Sequence, residues 1–136
     1  MSSSINYYQT AAGTLQVTWV DNHITQAVFV EAAHATEQCL QLPEQRYNFL
    51  LQGTAFQKHV WQAACAIPAG STMTYQQLAN ALGKPNAARA VGNALGSNKI
   101  AYFIPCHRVV QKNGSLGGYK WGLSKKRALL QAENSL

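Results

Sequence analysis

The first thirty residues alternate between hydrophobic and polar positions, and turn residues interrupt the alternation. The segments TLQVTWV (14–20) and ITQAVFV (24–30) both alternate, and the pair Asp21 and Asn22 separates them. Period-two alternation is typical of strands with one buried face, and Asn and Asp favour turns. Together with NYYQT (6–10), these segments predict a three-stranded antiparallel meander that serves as a scaffold.

After a mixed, polar connection at 31–53, the hydrophobic spacing changes to that of helices. The connection has room for a short helix of its own. Thr54 is an N-cap candidate for a helix that ends before Pro68, and Thr74 is one for a helix over 75–83. Threonine is favoured at this position because its hydroxyl accepts a hydrogen bond from a free backbone N–H of the first turn.

A helix predicted over 86–98 follows closely on the helix over 75–83, and this arrangement is a helix-turn-helix candidate. Alanine and glycine occupy six positions of the second helix, and Arg89 is the only long side chain in its middle. An α-helix with its side chains is ~10–12 Å wide, whereas the minor groove of B-DNA is ~6 Å wide. Small residues therefore allow a close approach to DNA. Close helix packing is the alternative, and the isolated Arg89 favours DNA.

The remaining pattern completes the fold prediction. Ser124 is an N-cap candidate for a last amphipathic helix over 125–133. The predicted fold class is α/β (α+β). A small antiparallel β domain over 1–52 precedes a mostly helical, winged helix-turn-helix-like domain over 53–136. No repeat or low-complexity segment interrupts this order.

Charge is distributed unevenly along the chain. Residues 1–70 hold two cations and four anions, a net charge of −2, whereas residues 71–136 hold nine cations and one anion, a net charge of +8. A half this basic predicts a polyanionic partner, with nucleic acid as the first candidate. The alternative is a solvated basic surface that keeps the protein in solution.

Composition favours a protein of the reducing cytosol. No apolar run approaches the ~18 residues of a membrane span, and the N-terminus lacks the pattern of a signal peptide. The cysteines, Cys39, Cys65 and Cys106, are odd in number and widely spaced, which indicates free thiols. They lack a C-x-x-C pair and the spacing of metal ligands, so no metal or cofactor is expected. Cys65 is expected in the core and Cys39 at the surface or in packing.

Cys106 and His107 lie side by side in the apolar segment IPCHRVV (104–110). A cysteine nucleophile needs a base or a positive neighbour. Successive side chains of an extended chain point to opposite faces, so a bridging water fits better than a direct contact. The histidine then needs an acceptor on its other nitrogen, and Glu133 is the only carboxylate of the basic half. The alternatives are a packed Cys–His pair and, for Glu133, a frayed helix end.

This segment resembles the active-site motif of the O6-alkylguanine-DNA alkyltransferases, the methylated-DNA–protein-cysteine methyltransferases. The resemblance extends over about 54–134 in the order of that family, and it implies that residues 1–52 form a shortened N-terminal domain. Its further motifs are TYQQLA (74–79), RAVGNAL (89–95), Ser97-Asn98, GGYKWG (117–122) and the closing helix with Glu133. It implies direct-reversal DNA repair, in which O6-alkylguanine in double-stranded DNA is flipped out and dealkylated once, by an enzyme without a cofactor. O4-alkylthymine is a further possible lesion.

The resemblance also implies roles for single residues at the reacting centre. Cys106 matches the alkyl acceptor, His107 the water-mediated base and Glu133 the carboxylate that orients it. Asn98 matches the residue that braces the helix-turn-helix against the active site. Tyr75 matches the tyrosine that presses on the phosphate 3′ to the target and can face the flipped guanine.

Other positions match the base pocket and the DNA surface. Arg89 matches the finger that enters the base stack where the target leaves, and the pocket is matched by Val109, Tyr119 and the backbone at Lys120. Gln76, Ala88 and Gly92 are expected to contact DNA. The implied protein is a monomer that uses the minor groove, without a membrane. It acts in the cytoplasm, nucleoid-associated in a prokaryote, or in the nucleus of a eukaryote. A damage-binding protein of the alkyltransferase-like group and a cysteine hydrolase remain alternatives.

Overall fold

Three antiparallel strands fold the start of the chain into the predicted meander. They are β1 (Ser3–Thr10), β2 (Gly13–Val20) and β3 (His23–Val30), and both pairings are antiparallel. The computed structural model describes residues 3–31 and 48–136. The meander prediction is confirmed, because the strands and the turns between them lie where the alternation places them.

The turn between β2 and β3 explains the sequence signal at that point. Asp21 and Asn22 both have positive φ angles, 49° and 67°. Turns with positive φ at both central residues match the right-handed twist of a hairpin, and Asp and Asn tolerate this conformation better than most residues. The side chains of Leu15 and Val17 on β2 are fully buried, and they form the inner face of the sheet.

A fourth strand, β4 (Asn48–Phe49), pairs with β3 in parallel and gives the sheet the order β1-β2-β3-β4. A three-stranded sheet was predicted, and a two-residue strand has no periodicity from which it could be found. The short helix considered for the connection, and Cys39 with it, lie outside the described residues.

Four α-helices follow, each near a predicted position. They are α1 (Ala55–Cys65), α2 (Tyr75–Ala81), α3 (Ala88–Gly96) and α4 (Leu123–Ala132). The N-caps of the first two are the predicted threonines. In α1, the Thr54 hydroxyl accepts a hydrogen bond from the Gln57 N–H, and the Gln57 side chain accepts one from the Thr54 N–H. Thr74 and Gln77 form the same pair of bonds in α2. This reciprocal pair of hydrogen bonds is a capping box.

The predicted ends of the later helices were less accurate. The turn between α2 and α3 is wider than predicted, because α2 ends at Ala81 and Gly83 takes a φ of +73°. The predicted Ser124 cap was wrong. Helix α4 begins at Leu123 after Gly122, whose φ of +102° turns the chain into the helix without a side-chain cap.

Two short strands place the start of α2 beside the cysteine segment. Strand β5 (Met73–Thr74) pairs in parallel with β6 (Val109–Val110). Because β5 leads directly into α2 and β6 follows Cys106 by three residues, Tyr75 is brought towards the reactive residues.

The sheet and the helices share one hydrophobic core. Trp61 of α1 is buried and donates from Nε1 to the carbonyl of Ala94 in α3 at 2.8 Å. Strand β3 bonds to the segment after α3, since Ala27 donates to the carbonyl of Lys99 at 2.9 Å and accepts from Ala101 at 2.8 Å. The division of the chain at residue 52 stays a prediction. In the described ranges, no helix is long and apolar enough to cross a bilayer.

Candidate active site around Cys106

Cys106 lies in a single 3₁₀ turn, Cys106–Arg108, and not in the extended chain that was predicted. The turn is formed by two i→i+3 hydrogen bonds, because Arg108 donates to the carbonyl of Pro105 at 3.0 Å and Val109 donates to the carbonyl of Cys106. Successive side chains in a 3₁₀ helix are a third of a turn apart. Cys106 and His107 therefore still diverge, although the backbone reason differs from the one that the sequence suggested.

Asn98 fixes the thiol from the side of α3. Its Nδ2 donates to Cys106 Sγ at 3.2 Å and to the carbonyl of Ile100 at 3.0 Å, while its Oδ1 accepts from the Ile100 N–H at 2.9 Å. Its backbone N–H donates to the carbonyl of Leu95 in the last turn of α3 at 3.2 Å. Asn98 is buried, so these bonds are shielded from water and connect α3 to the thiol.

The Glu133 carboxylate joins His107 and Arg108. His107 Nε2 lies 3.0 Å from Glu133 Oε2, and Arg108 donates to both carboxylate oxygens, from Nε at 3.0 Å and from Nη2 at 2.7 Å. Arg108 Nη1 also donates to the carbonyl of Ile67 at 2.7 Å. The sequence predicted the His107–Glu133 contact, but Arg108 was not singled out because a cation after histidine carries no distinguishing pattern.

These contacts set the proton distribution of the site. Burial alone would raise the pKa of Glu133, but the hydrogen bonds from His107 and Arg108 outweigh it and lower that pKa to about 2. The carboxylate is therefore ionised at neutral pH and accepts from His107 Nε2. With the proton of the neutral imidazole on Nε2, an assignment inferred from the hydrogen bond, Nδ1 is a proton acceptor. Nδ1 is buried and has no hydrogen-bond partner among the described residues.

The thiol itself is held in its neutral form. Burial raises the pKa of Cys106 to about 12, although the hydrogen bond from Asn98 and the charge of Lys126 act in the opposite direction. Only 6% of the residue is exposed. A buried thiol needs a nearby base at the moment of reaction, since the thiolate is the nucleophile.

Lys126 of α4 is a functional candidate that the sequence did not reveal. It is fully buried, and its Nζ donates to the carbonyls of Val109 at 2.6 Å and Gly118 at 3.0 Å. Burial lowers its pKa to about 8. The ammonium thus connects the strand after the 3₁₀ turn to the glycine-rich loop. Lysine is almost never fully buried, so the run Lys125-Lys126-Arg127 gave no signal that the middle residue is enclosed.

A cavity of about 160 Å³ opens beside the thiol. It lies between the end of α3, the start of α2 and the loop before α4, and it contains room for a flat ring beside Sγ. The lining residues are Tyr75, Gly92, Leu95, Gly96, Cys106, Gly118, Tyr119, Lys120 and Trp121. The predicted pocket residues Tyr119 and Lys120 are therefore at the cavity, and so are Tyr75 and Gly92.

Two tyrosine hydroxyls belong to this cavity. Burial raises the pKa of Tyr75, and a hydrogen bond from the Gly118 backbone only partly offsets it. Burial also raises the pKa of Tyr119, whose hydroxyl oxygen is buried without a hydrogen-bond partner among the described residues. Both hydroxyls therefore keep their protons at neutral pH and are available as donors to a bound molecule.

The remaining site candidates lie away from the cavity wall. Val109, predicted in the pocket, is fully buried behind it, where its carbonyl accepts from Lys126. Gln76 is exposed and its Nε2 donates to Asn80 Oδ1 at 3.0 Å and to the Pro85 carbonyl at 2.6 Å, so it closes the turn between α2 and α3. Ala88 begins α3, which has no side-chain cap, and Arg89 is exposed on its first turn.

Cys65 differs from its prediction. It is exposed at the last residue of α1, so the expectation of a core cysteine was wrong. In the part of the chain that the structure describes, no group of three or more His, Cys, Asp or Glu side chains could hold a metal ion.

Comparisons with known proteins give this site a family context. The profile of the 6-O-methylguanine DNA methyltransferase, DNA binding domain, matches residues 55–135. Over 83 residues, 61% of this chain and 24% of the other, the sequence is 60% identical to the regulatory protein Ada of Salmonella typhimurium. Over 86 residues, 63% of this chain and 46% of the other, it is 50% identical to the methylated-DNA–protein-cysteine methyltransferase of Kluyveromyces lactis. The matched segment thus spans less than half the length of these relatives.

A solved structure resembles more of the chain. The crystal structure of Mycobacterium tuberculosis OGT in complex with DNA superposes with a TM-score of 0.81 and 34% identity. The match covers 96% of this chain and 92% of that chain. The fold similarity therefore includes the N-terminal sheet, for which the sequence motifs gave no family signal.

Replacing Gly117 should displace Tyr75. A Cβ at Gly117 would lie 2.7 Å from the Tyr75 hydroxyl oxygen, and the φ of Gly117 is +71°. Gly114 in the same loop has a φ of +86° and nothing within 4 Å of its Cβ position, so it is a matched control. We expect Gly114→Ala to lose about 1–2 kcal/mol from backbone strain and Gly117→Ala to lose about 1–3 kcal/mol more from the clash. Urea denaturation measures both, and equal losses would contradict the close contact.

Acid should remove the contribution of Glu133 to stability. Its pKa of about 2 in the folded chain lies below the ordinary 4.5, so the unfolded chain binds its proton more readily. The stabilisation is present above pH 4.5 and is lost as the pH falls through about 2. The free-energy gap between wild type and Glu133→Gln, from denaturation at a series of pH values, should shrink over this window. A gap that stays constant into the acid range would refute the assignment.

Proposed function

Because the chain belongs to the 6-O-methylguanine DNA methyltransferase family, we propose that it transfers the alkyl group of O6-alkylguanine in double-stranded DNA to the thiol of Cys106. The observation that carries this proposal is a buried cysteine at the wall of a ring-sized cavity, next to an oriented His–Glu pair. O4-alkylthymine, with a related alkoxy group on a smaller ring, is a second lesion for the same cavity.

Activation of the thiol begins at Nδ1 of His107. The proton of Cys106 passes through a bridging water to Nδ1, and Glu133 stabilises the resulting imidazolium through Nε2. The charge of Lys126 favours the thiolate, as it does in lowering the pKa of Cys106. His107 is required as a base because burial, despite the opposing effects of Asn98 and Lys126, raises the pKa of the Cys106 thiol to about 12.

The transfer is a displacement at the alkyl carbon. A bond forms between Sγ and that carbon, the bond between carbon and guanine O6 breaks, and its electron pair stays on the guanine. The guanine leaves neutral when a ring nitrogen receives a proton, for which Tyr75, protonated at neutral pH because burial raises its pKa, is the donor. Nothing among the described residues is placed to hydrolyse the thioether, so each chain reacts once.

Access to the lesion requires that the base leave the duplex. The small residues of α3 allow a close approach to the minor groove, and Gly92 and Gly96 of that helix line the cavity. Arg89, exposed on the first turn of α3, fills the gap left in the base stack. Gln76 and Ala88 face the DNA phosphates from the two sides of the turn between α2 and α3. The positive charge of the C-terminal half attracts these phosphates.

The chain acts as a monomer, in the compartment that holds the DNA: the cytoplasm in a prokaryote, the nucleus in a eukaryote. The proposed reaction uses Cys106, His107 and Glu133 of one chain, so it does not require a second copy. Free thiols at Cys65 and Cys106 support a reducing compartment.

Mass spectrometry tests the transfer directly. After mixing with a duplex that carries O6-methylguanine, the chain should gain one CH₂, as S–H becomes S–CH₃, on the peptide that contains Cys106. Cys106→Ala should gain nothing, and Cys65→Ala, which removes the exposed cysteine, should react like wild type. Binding of the lesion without a mass gain would indicate a damage-binding protein, and turnover beyond one alkyl group per chain would indicate a hydrolase. Either result would overturn the proposal.

Arg89→Ala should separate base flipping from chemistry. Unstacking a base costs a few kcal/mol, and 1.36 kcal/mol is a factor of ten in rate. We therefore expect Arg89→Ala to slow transfer from a duplex by about tenfold or more, with much less effect on a single strand that carries the same lesion. Arg89→Lys, which keeps the charge but not the planar face, should recover only part of the duplex rate. Equal losses on both substrates would show that Arg89 is not the finger.

A further inference from the structure

An aromatic column connects the N-terminal sheet to the reactive histidine. Phe29 of β3 packs edge-on against Trp121 with ring centroids 6.3 Å apart and an interplanar angle of 74°. Trp121 packs against Tyr119 at 5.4 Å and 64°, and Tyr119 against His107 at 6.3 Å and 84°. Trp121 and Tyr119 both line the cavity beside Cys106. A residue of the sheet therefore supports the wall of the reaction cavity from behind.

The position of Phe29 is fixed by the strand pairing of β3 and by a backbone contact of the same strand. It lies opposite Leu15, a fully buried residue of β2, in the register of the sheet. Two positions before it, Ala27 exchanges backbone hydrogen bonds with the segment that leads from Asn98 to Cys106. Strand β3 thus contacts the reaction site at two points. Its backbone bonds to the segment before Cys106, and the Phe29 ring packs on Trp121 of the cavity wall.

Trp121 is held in the cavity wall by contacts with neighbouring side chains. Its ring is half-buried, with Tyr119 on one side and Phe29 on another. Lys120 and Lys125 place their ammonium groups 5.5 Å from the Trp121 ring centroid and 5.6 Å from that of Phe29. Other lining residues are fixed by the backbone or by hydrogen bonds, since Gly92 and Leu95 belong to α3 and Cys106 accepts a hydrogen bond from Asn98.

We propose that Phe29 is a positioning residue that limits the size of the alkyl group the site accepts, because it holds Trp121 in the cavity wall. This inference rests on the alkyl transfer proposed above. A group larger than methyl needs space between the guanine and Sγ, so a wall must retreat. With a smaller residue at position 29, space opens behind the Trp121 ring, and the ring retreats into it.

The test compares transfer rates within each variant. Duplexes of one sequence carry O6-methylguanine, O6-ethylguanine or O6-benzylguanine, so DNA binding and base flipping are shared and the ratio of rates reports the cavity. The variants are Phe29→Leu and Phe29→Ala. The control is Phe49→Leu, which alters another aromatic residue of the sheet that packs on Phe103 at 6.5 Å, away from the cavity. Partial loss of stability lowers all three rates alike and leaves the ratios unchanged.

We expect Phe29→Leu to lower the ratio of the methyl rate to the benzyl or ethyl rate by at least about tenfold, the lower limit of what one methylene is worth in a hydrophobic pocket. Phe49→Leu should leave the ratio as in wild type. In a Trp121→Ala background, Phe29→Leu should change the ratio no further, because its effect passes through that ring.

Unchanged or increased ratios in both Phe29 variants would overturn the inference, as would an undiminished Phe29 effect after Trp121→Ala. These outcomes are distinct from a failure of the proposed function, in which wild type itself gains no methyl group from the O6-methylguanine duplex.

Discussion

The carboxylate of Glu133 accepts hydrogen bonds from two consecutive residues of the 3₁₀ turn, His107 and Arg108, and the active site depends on this shared contact. Arg108 also donates a hydrogen bond to the carbonyl of Ile67, two residues after the end of α1. The Glu133–Arg108 pair therefore holds together the end of the last helix, the reactive turn and the segment that follows the first helix. Partly buried ion pairs often add little net stability, because desolvation offsets their attraction. We interpret this one as an orienting device that leaves Nδ1 of His107 as the proton acceptor.

Burial has two opposite consequences at Cys106. It protects the thiol from bulk solvent, and it raises the thiol pKa to about 12, which opposes formation of the nucleophile. The surroundings offset that cost locally, through the amide of Asn98 and the ammonium of Lys126. A protein that reacts once has no need to regenerate its thiol, so a stable resting state is compatible with the proposed reaction. The cavity and the nucleophile share these same supports, since Lys126 also fixes the Gly118 carbonyl of the cavity wall.

Much of the fold could be predicted because local patterns encode it. The alternation of the meander and the two threonine caps are short-range signals, and the structure confirms them. The prediction failed where the signal is tertiary. Two-residue strands such as β4 are too short to show a period. The burial of Lys126 depends on carbonyls from two other segments, which the local sequence does not reveal. The cap of α4 is Gly122 and not the predicted Ser124, because the backbone of Gly122 turns the chain into the helix. The His107–Glu133 contact was found because the basic half has a single carboxylate, whereas Cys65 was misplaced because the sequence does not show which face of the end of a helix meets the core.

The tautomer of His107 is the most direct measure of this arrangement. Nitrogen-15 NMR of the imidazole side chains, with His107 assigned by its loss in His107→Gln, distinguishes the ring nitrogen that carries the proton. The contact with Glu133 predicts that the neutral ring is protonated on Nε2 and bare on Nδ1, and that Glu133→Ala weakens this preference. A neutral ring protonated on Nδ1 in the wild-type protein would contradict the account, because the acceptor for the Cys106 proton would then be absent.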